Sequence, residues 1–168
     1  MSVRYHNFGG VIGWNLQKYF PMLSSDSYLK LQRSTRNKLQ KEYIDYFLST
    51  EEPPMPLVVN LETINRCNST CSFCTANKNA EKRPYKRMED SLFYSIIDQL
   101  AEWGYTGHLT LYGNNEPFLD TRIVEFHKYC REKLPHSFIF LSSNGLLLTV
   151  DKVKEIIPYV NQLIINNY

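Results

Sequence analysis

Three of the four cysteines in this 168-residue chain, Cys67, Cys71 and Cys74, lie close together. Their spacing is C-x3-C-x2-C, in a loop rich in Asn, Ser and Thr. Cysteine thiolates bind both iron–sulfur clusters and zinc, so the ligand type alone does not choose between these metals. Three thiolates can hold three irons of a [4Fe-4S] cluster and leave the fourth iron without a protein ligand. The spacing therefore favours a cluster with one open iron.

Two other interpretations of the cysteines stay open at this point. A structural zinc site is closed by four protein ligands, but no second C-x2-C pair and no nearby histidine follows the motif, so His108 or Cys130 would have to come from far along the chain. Three ordinary buried thiols are the second alternative, which the polar composition of the loop disfavours.

The composition excludes several classes of protein. The chain is 43% hydrophobic and 21% charged, which is typical of a globular protein, and its net charge of +2 is too small to indicate nucleic-acid binding. Five basic residues between positions 78 and 87 are expected to form a solvated surface loop. No apolar run approaches the roughly 20 residues that cross a bilayer. Clustered thiols suit a reducing compartment, so we expect a cytoplasmic protein without a membrane segment.

The elements that must position the cysteines alternate between strand and helix. Apolar periodicity predicts one or two helices over 28–48, and the proline-rich run 51–56 is expected to be a linker. The first 27 residues give little periodic signal. Strands are predicted over 57–65, 108–112, 138–141 and 162–165, and helices over 90–103, with Asp90 or Ser91 as N-cap, 120–133 and 151–157.

Strands that alternate with helices predict a parallel sheet, because parallel neighbours need a crossover connection that is usually helical. In such folds the ligand site lies at the carboxyl ends of the strands. Four strands do not close a barrel, and the chain ends just after the fourth, so we expect it to be a truncated portion of a larger fold.

The first predicted strand together with residues 65–74 resembles the signature of the radical S-adenosylmethionine (radical SAM) family, C-x3-C-x-aromatic-C, with Phe73 at the aromatic position. The resemblance covers residues 57–168. It implies an α/β fold with a partial (β/α) barrel of the radical SAM type, about four parallel strands of which are present. We therefore expect an N-terminal, partly helical extension over 1–52 and an incomplete radical SAM core over 53–168.

Motifs after the second, third and fourth strands extend the resemblance. Residues 112–117, Tyr-Gly-Asn-Asn-Glu-Pro, are similar to the family's Gly-Gly-Glu-Pro motif, whose edge binds the amino group of SAM, although Asn-Asn stands where two glycines are usual. Residues 142–145, Ser-Ser-Asn-Gly, are similar to its Thr-Asn-Gly ending. Taken alone, each of these motifs is a common turn. The resemblance implies cofactor-binding roles for Phe73, Glu116, Ser142, Asn144 and Asn166.

The implied chemistry belongs to the cofactors. In this family the amino and carboxylate groups of the methionine part of SAM chelate the open iron, and one-electron reduction cleaves SAM to methionine and a 5'-deoxyadenosyl radical that abstracts hydrogen from a substrate. A low-potential electron donor of the flavodoxin or ferredoxin type is then an expected partner, and the substrate is expected to be a peptide or another small biosynthetic molecule. The family branch with a C-terminal SPASM-type domain is one candidate. The alternative function is a non-catalytic iron–sulfur or zinc binding module.

Overall fold

A computed structural model describes residues 25–50, 54–74 and 76–166 of the chain. The chain divides into two compact units, Met1–Leu57 and Val58–Tyr168. In the first unit, a single helix, α1 (Ser25–Thr50), stands where one or two were predicted. Of the first 27 residues, which give little periodic signal, 25–27 belong to this helix, and the others lie outside the described residues, as do residues 51–53 of the predicted linker. The domain boundary placed after residue 52 stays a prediction.

The second unit contains one sheet of four parallel strands, in the order β1-β2-β3-β4. The strands are β1 (Val58–Asn60), β2 (His108–Thr110), β3 (Phe138–Ser143) and β4 (Gln162–Ile165). Thr110 of β2 lies opposite Asn60 of β1 on one side and Phe140 of β3 on the other. Because the strands are parallel and sequential, all four carboxyl ends lie at one edge of the sheet. The predicted α/β fold of partial-barrel type is confirmed.

Helices connect these strands, as parallel pairing requires. They are α2 (Asp90–Glu102), α3 (Ile123–Lys133) and α4 (Val150–Ile156), with 3-10 turns at Pro117–Leu119 and Ile157–Tyr159. Among the described residues, no helix is long and apolar enough to cross a membrane.

The core lies between the sheet and helices α2 and α3. The rings of Phe93 and Phe126 stack at 3.8 Å between centroids, and Ile139 and Leu141 of β3 are fully buried. Burying a side chain of this size contributes about 1.5–3 kcal/mol each. The apolar periodicity of both helices is therefore explained by this packing.

The structure corrects several predicted boundaries. β1 is shorter than expected, because beyond it the chain turns to pair with the loop that precedes α2: Asn65 N donates to Lys86 O at 3.1 Å and Met88 N to Thr63 O at 2.8 Å. β2 also ends earlier than predicted, at Thr110. β3 is longer, so Ser142 and Ser143 belong to the strand. The prediction of Asp90 or Ser91 as N-cap of α2 was wrong, since Glu89 occupies that position without a capping side-chain bond.

The third helix of the fold also begins later than predicted, at Ile123 and not at residue 120. The 3-10 turn Pro117–Leu119 and the Asp120 carboxylate, which accepts from Arg122 N at 3.1 Å, occupy the residues before it. The buried face of α3 includes His127, whereas Val124 is only half-buried.

Candidate metal centre

The candidate site lies at the carboxyl edge of the sheet. The cysteine loop follows β1, the turn 113–117 follows β2, Asn144 and Gly145 follow β3, and Asn166 follows β4. Hydrogen bonds join these segments directly: Glu116 N donates to Arg66 O at 2.9 Å, and Asn166 N donates to Ser143 O at 2.8 Å. Each motif singled out in the sequence therefore belongs to one connected edge.

The cysteine loop is held by an asparagine that the sequence reasoning missed. Asn77 donates from Nδ2 to the carbonyl oxygens of Cys71, at 3.2 Å, and Cys74, at 2.9 Å. Cys74 N also donates to Cys71 O at 3.1 Å, which closes a turn between the two cysteines. From the sequence alone, an asparagine here indicates only a turn. The carbonyl groups that it binds are determined by the folded loop.

All three clustered cysteines are free thiols and half-buried. Hydrogen-bond donors approach two of their sulfur atoms: Ser69 N lies 3.4 Å from Cys67 Sγ, and Ser69 Oγ lies 3.1 Å from Cys71 Sγ. Asn144 Nδ2 lies 3.8 Å from Cys67 Sγ and also donates to Asn68 Oδ1 at 2.8 Å. The amide of Asn144 therefore connects the end of β3 to the cysteine loop.

The donor set fits an iron–sulfur cluster. Sulfur ligands on one partly exposed loop, with N–H and O–H groups directed at them, are the environment that such clusters require. No three His, Cys, Asp or Glu side chains in the described part of the chain are grouped so that one metal ion could be held. A cluster does not need that arrangement, because each of three thiolates binds a different iron.

The carboxylate of Glu116 is the main tie between the motifs after β2 and β3. Its side chain is buried, and it accepts from Phe118 N at 3.1 Å, from Ser143 Oγ at 2.8 Å and from Asn144 N at 2.8 Å. Hydrogen bonds to a charged acceptor contribute about 1.5–3 kcal/mol each. Glu116 therefore fixes the backbone on which Asn144 stands.

The turn before Glu116 leaves one polar atom without a protein partner. Asn115 accepts from Gly113 N at 2.8 Å through Oδ1, while its Nδ2 is buried and makes no hydrogen bond among the described residues. A buried donor without an acceptor is costly, and a water molecule or a polar group of a ligand would satisfy it. This orphaned amide fits a polar cofactor at the edge of the turn.

Ser142 and Asn166 contact each other at the ends of β3 and β4. Asn166 Nδ2 donates to Ser142 Oγ at 2.7 Å, and both side chains are half-buried. Gly145 is essential to the adjoining turn: its φ is +76°, and a Cβ added there would lie 2.8 Å from Ile165 Cγ2. This part of the edge is therefore close-packed and polar.

Phe73 is the aromatic residue of the cysteine loop. It lies between Cys71 and Cys74, and its side chain is 65% exposed. An aromatic ring beside the cysteines suits a planar group such as a nucleobase. Its expected contact with the adenine of SAM stays a prediction.

Glu62, just after β1, connects the turn that follows β2 to the basic loop. Its Oε1 accepts from Asn114 N at 3.1 Å, and its Oε2 lies 3.2 Å from Arg83 Nη1. Arg83 also binds Glu81, and its hydrogen bonds lower the pKa of Glu81 to about 2. Asn60 and Glu62 alternate with apolar residues in the sequence, whereas their partners in the fold, Thr110 and Asn114, lie far along the chain.

The basic loop is a surface loop, as predicted. All five basic side chains between positions 78 and 87 are exposed. A cleft of about 480 Å³ lies beside it, with Glu62, Asn65, Arg83 and Lys86 in its wall.

Comparison with known proteins identifies the family of the chain. The family model described as the radical SAM superfamily matches residues 61–166. A relative from Niallia circulans, an S-adenosyl-L-methionine-dependent 2-deoxy-scyllo-inosamine dehydrogenase, is 22% identical over 99 residues, which cover 59% of this chain and 39% of that protein.

Two solved structures share the fold. BtrN in complex with AdoMet and 2-DOIA aligns with a TM-score of 0.63 and 21% identity over 68% of this chain and 46% of that one. SuiB of Streptococcus suis bound to S-adenosylmethionine aligns with a TM-score of 0.53 and 16% identity over 89% of this chain and 33% of that one. The chain thus spans less than half the length of these relatives.

Proposed function

This chain belongs to the radical SAM superfamily, and on that premise we propose that the protein is an enzyme whose Cys67, Cys71 and Cys74 hold a [4Fe-4S] cluster that binds SAM. The cofactors of this superfamily are the cluster and SAM, as the sequence predicted. When bound, they supply an electron and a 5'-deoxyadenosyl radical that abstracts hydrogen from a substrate carbon. The observation that carries the proposal is the loop of three free, half-buried thiols at the carboxyl edge of the sheet.

The chain's own residues would orient and enclose the cofactors. Glu116 would act through the backbone that it fixes, since its carboxylate already accepts three protein hydrogen bonds. Asn144 would position the cysteine loop from β3. The hydrogen-bonded pair Ser142 and Asn166 would offer polar atoms to the ribose, and Phe73 would stack on the adenine. Asn115 Nδ2 would donate to the polar end of SAM.

The substrate that we propose is a peptide or another small biosynthetic molecule. The relative from Niallia circulans is named as a 2-deoxy-scyllo-inosamine dehydrogenase, and this name favours a small molecule as the substrate. A low-potential donor of the flavodoxin or ferredoxin type would deliver the electron, and the cytoplasm is the compartment in which such thiols stay reduced. The alternative function is a non-catalytic iron–sulfur or zinc module.

Anaerobic reconstitution with iron and sulfide, followed by EPR of the reduced protein with and without SAM, tests the proposal. We expect a [4Fe-4S]+ signal that changes when SAM is added and that is lost in Cys71→Ala. The matched control is Cys130→Ala: Cys130 is buried in α3, away from the motif, so this variant should keep the signal. A signal indifferent to SAM, or tightly bound zinc without iron, would contradict the proposal.

A further inference from the structure

The hydroxyl of Ser69 has an unusual position between two cluster cysteines. Its Oγ lies 3.1 Å from Cys71 Sγ, while its backbone N–H lies 3.4 Å from Cys67 Sγ. The residue is held in place from the other side, since Lys78 N donates to Ser69 O at 3.1 Å. One serine thus directs two donors at two of the three sulfur ligands.

The direction of the hydroxyl bond follows from the chemistry of the ligand. In the free thiols either atom can be the donor. A cysteine that ligates iron is a thiolate and has no proton, so only Ser69 can donate once the metal is bound. The bond then becomes charge-assisted, and such bonds are shorter and roughly twice as strong as neutral ones.

We propose that Ser69 is a positioning residue that raises the reduction potential of the cluster by donating its hydroxyl hydrogen bond to Cys71 Sγ. Hydrogen bonds to the sulfur ligands are among the factors that set cluster potentials, because they stabilise the more negative, reduced state. The inference rests on the proposed function and concerns its one-electron reduction step. The electron comes from the external reductant, and Ser69 keeps its proton throughout.

Ser69 is a stronger candidate for this role than Asn144, whose side chain is also a donor near a cluster sulfur in the described part of the chain. The amide of Asn144 lies 3.8 Å from Cys67 Sγ and already donates to Asn68 Oδ1 at 2.8 Å. Replacing Asn144 would also disturb the contact between β3 and the cysteine loop. Replacing the hydroxyl of Ser69 leaves its backbone donor in place, so its effect on the potential can be measured separately.

The test is a potentiometric titration of the reconstituted full chain, with redox mediators and EPR detection and without SAM. Ser69→Ala should retain the iron content of the wild type while its equilibrium constant for reduction falls about tenfold, which is 59 mV for a one-electron couple. Ser69→Thr keeps a hydroxyl and should stay close to the wild type. The matched control is Ser72→Ala, because Ser72 is exposed and adjacent to Cys71 in the sequence. The cluster in this variant should have the reduction potential of the wild type.

An unchanged potential in Ser69→Ala at full iron content would overturn the inference, as would an equal fall in Ser72→Ala. If the alanine variant does not load, Ser69→Thr and Ser69→Val decide, since they are nearly equal in shape and differ in the hydroxyl. If the wild-type cluster responds to SAM but Ser69→Thr and Ser69→Val have the same potential, the inference about Ser69 fails and the proposed function stands. A wild-type chain that binds no cluster overturns the proposed function as well.

Discussion

The carboxylate of Glu116 accepts a hydrogen bond from the backbone amide of Asn144 at 2.8 Å, across the carboxyl ends of β2 and β3. The same carboxylate accepts from Ser143 Oγ, and Asn144 in turn reaches the cysteine loop through its side chain. One buried acid therefore connects three of the segments that form the site. Its loss should affect both the stability of this unit and the binding of SAM.

We expect Glu116→Gln to lower the free energy of unfolding by about 2–4 kcal/mol, because an amide offers one acceptor oxygen where the carboxylate offers two. SAM affinity should fall more than cluster content, since Glu116 does not ligate the metal. Chemical denaturation, iron analysis and SAM titration measure the three effects. Glu132→Gln, at an exposed position of α3, is the control and should stay within about 0.5 kcal/mol of the wild type. Equal effects of the two substitutions would contradict the prediction.

Gly145 and Gly104 offer a matched pair for the packing at the site. Both have positive φ, +76° and +67°, but an added Cβ meets Ile165 Cγ2 at 2.8 Å only at Gly145 and meets nothing within 4 Å at Gly104. Gly104→Ala should therefore cost only the conformational strain, about 1–2 kcal/mol. Gly145→Ala should cost clearly more in the same denaturation experiment. Similar losses for both would show that the chain around Ile165 adjusts freely.

The second unit should lose stability in mild acid because of His127. Burial lowers the pKa of this fully buried imidazole to about 4, although its bond with Ile123 O, at 2.7 Å, opposes the shift. The unfolded chain binds this proton below about pH 6.5, whereas the folded chain binds it only near pH 4. The free energy of unfolding therefore has its full value above pH 6.5 and decreases as the pH falls toward 4. Between pH 7 and pH 5 the loss should be roughly 2 kcal/mol.

Denaturant unfolding at several pH values measures this contribution. His127→Met should reduce the pH dependence, whereas His136→Gln, at an exposed position, should leave it as in the wild type. An unchanged pH dependence in His127→Met would show that the buried imidazole is not responsible.

The sequence predicted the order of strands and helices and the location of the site, because both depend on local signals. Apolar periodicity marks α2 and α3, and the three cysteines lie in the loop that follows β1. What it could not predict depends on contacts between distant residues. His127 carries no clear burial signal in the sequence, because histidine is intermediate in burial preference, and its position in the core is explained only by the packing of α3 against the sheet.

The polar network at the site was also beyond the reach of the sequence. Glu116 was predicted to bind the cofactor, but which atoms its carboxylate contacts depends on the register between β2 and β3. Asn77 and Ser69 carry no motif of their own. They are recognisable only once the folded loop brings them to the carbonyl and sulfur atoms of the cysteines.

Asn77 should control how long the cluster is retained. Its amide donates to the carbonyl oxygens of Cys71 and Cys74, and its Oδ1 accepts from the backbone of Asn79 and Ala80. Asn77→Ala removes these bonds, each with a net contribution of about 0.5–1.5 kcal/mol, so the loop should populate open conformations about tenfold or more above the wild-type level. Iron should then be lost faster to a chelator by a similar factor, because release requires the cysteine turn to open.

Asn79→Ala separates this role from a general effect of the loop. Asn79 is exposed and contributes only its backbone N–H to Asn77, so its side chain can be removed while the turn stays intact. Chelator-induced loss of the iron–sulfur absorbance, followed over time for both variants, should be fast in Asn77→Ala and like the wild type in Asn79→Ala. If both variants release iron at the wild-type rate, the cluster itself holds the loop closed and Asn77 only assists before metal is bound.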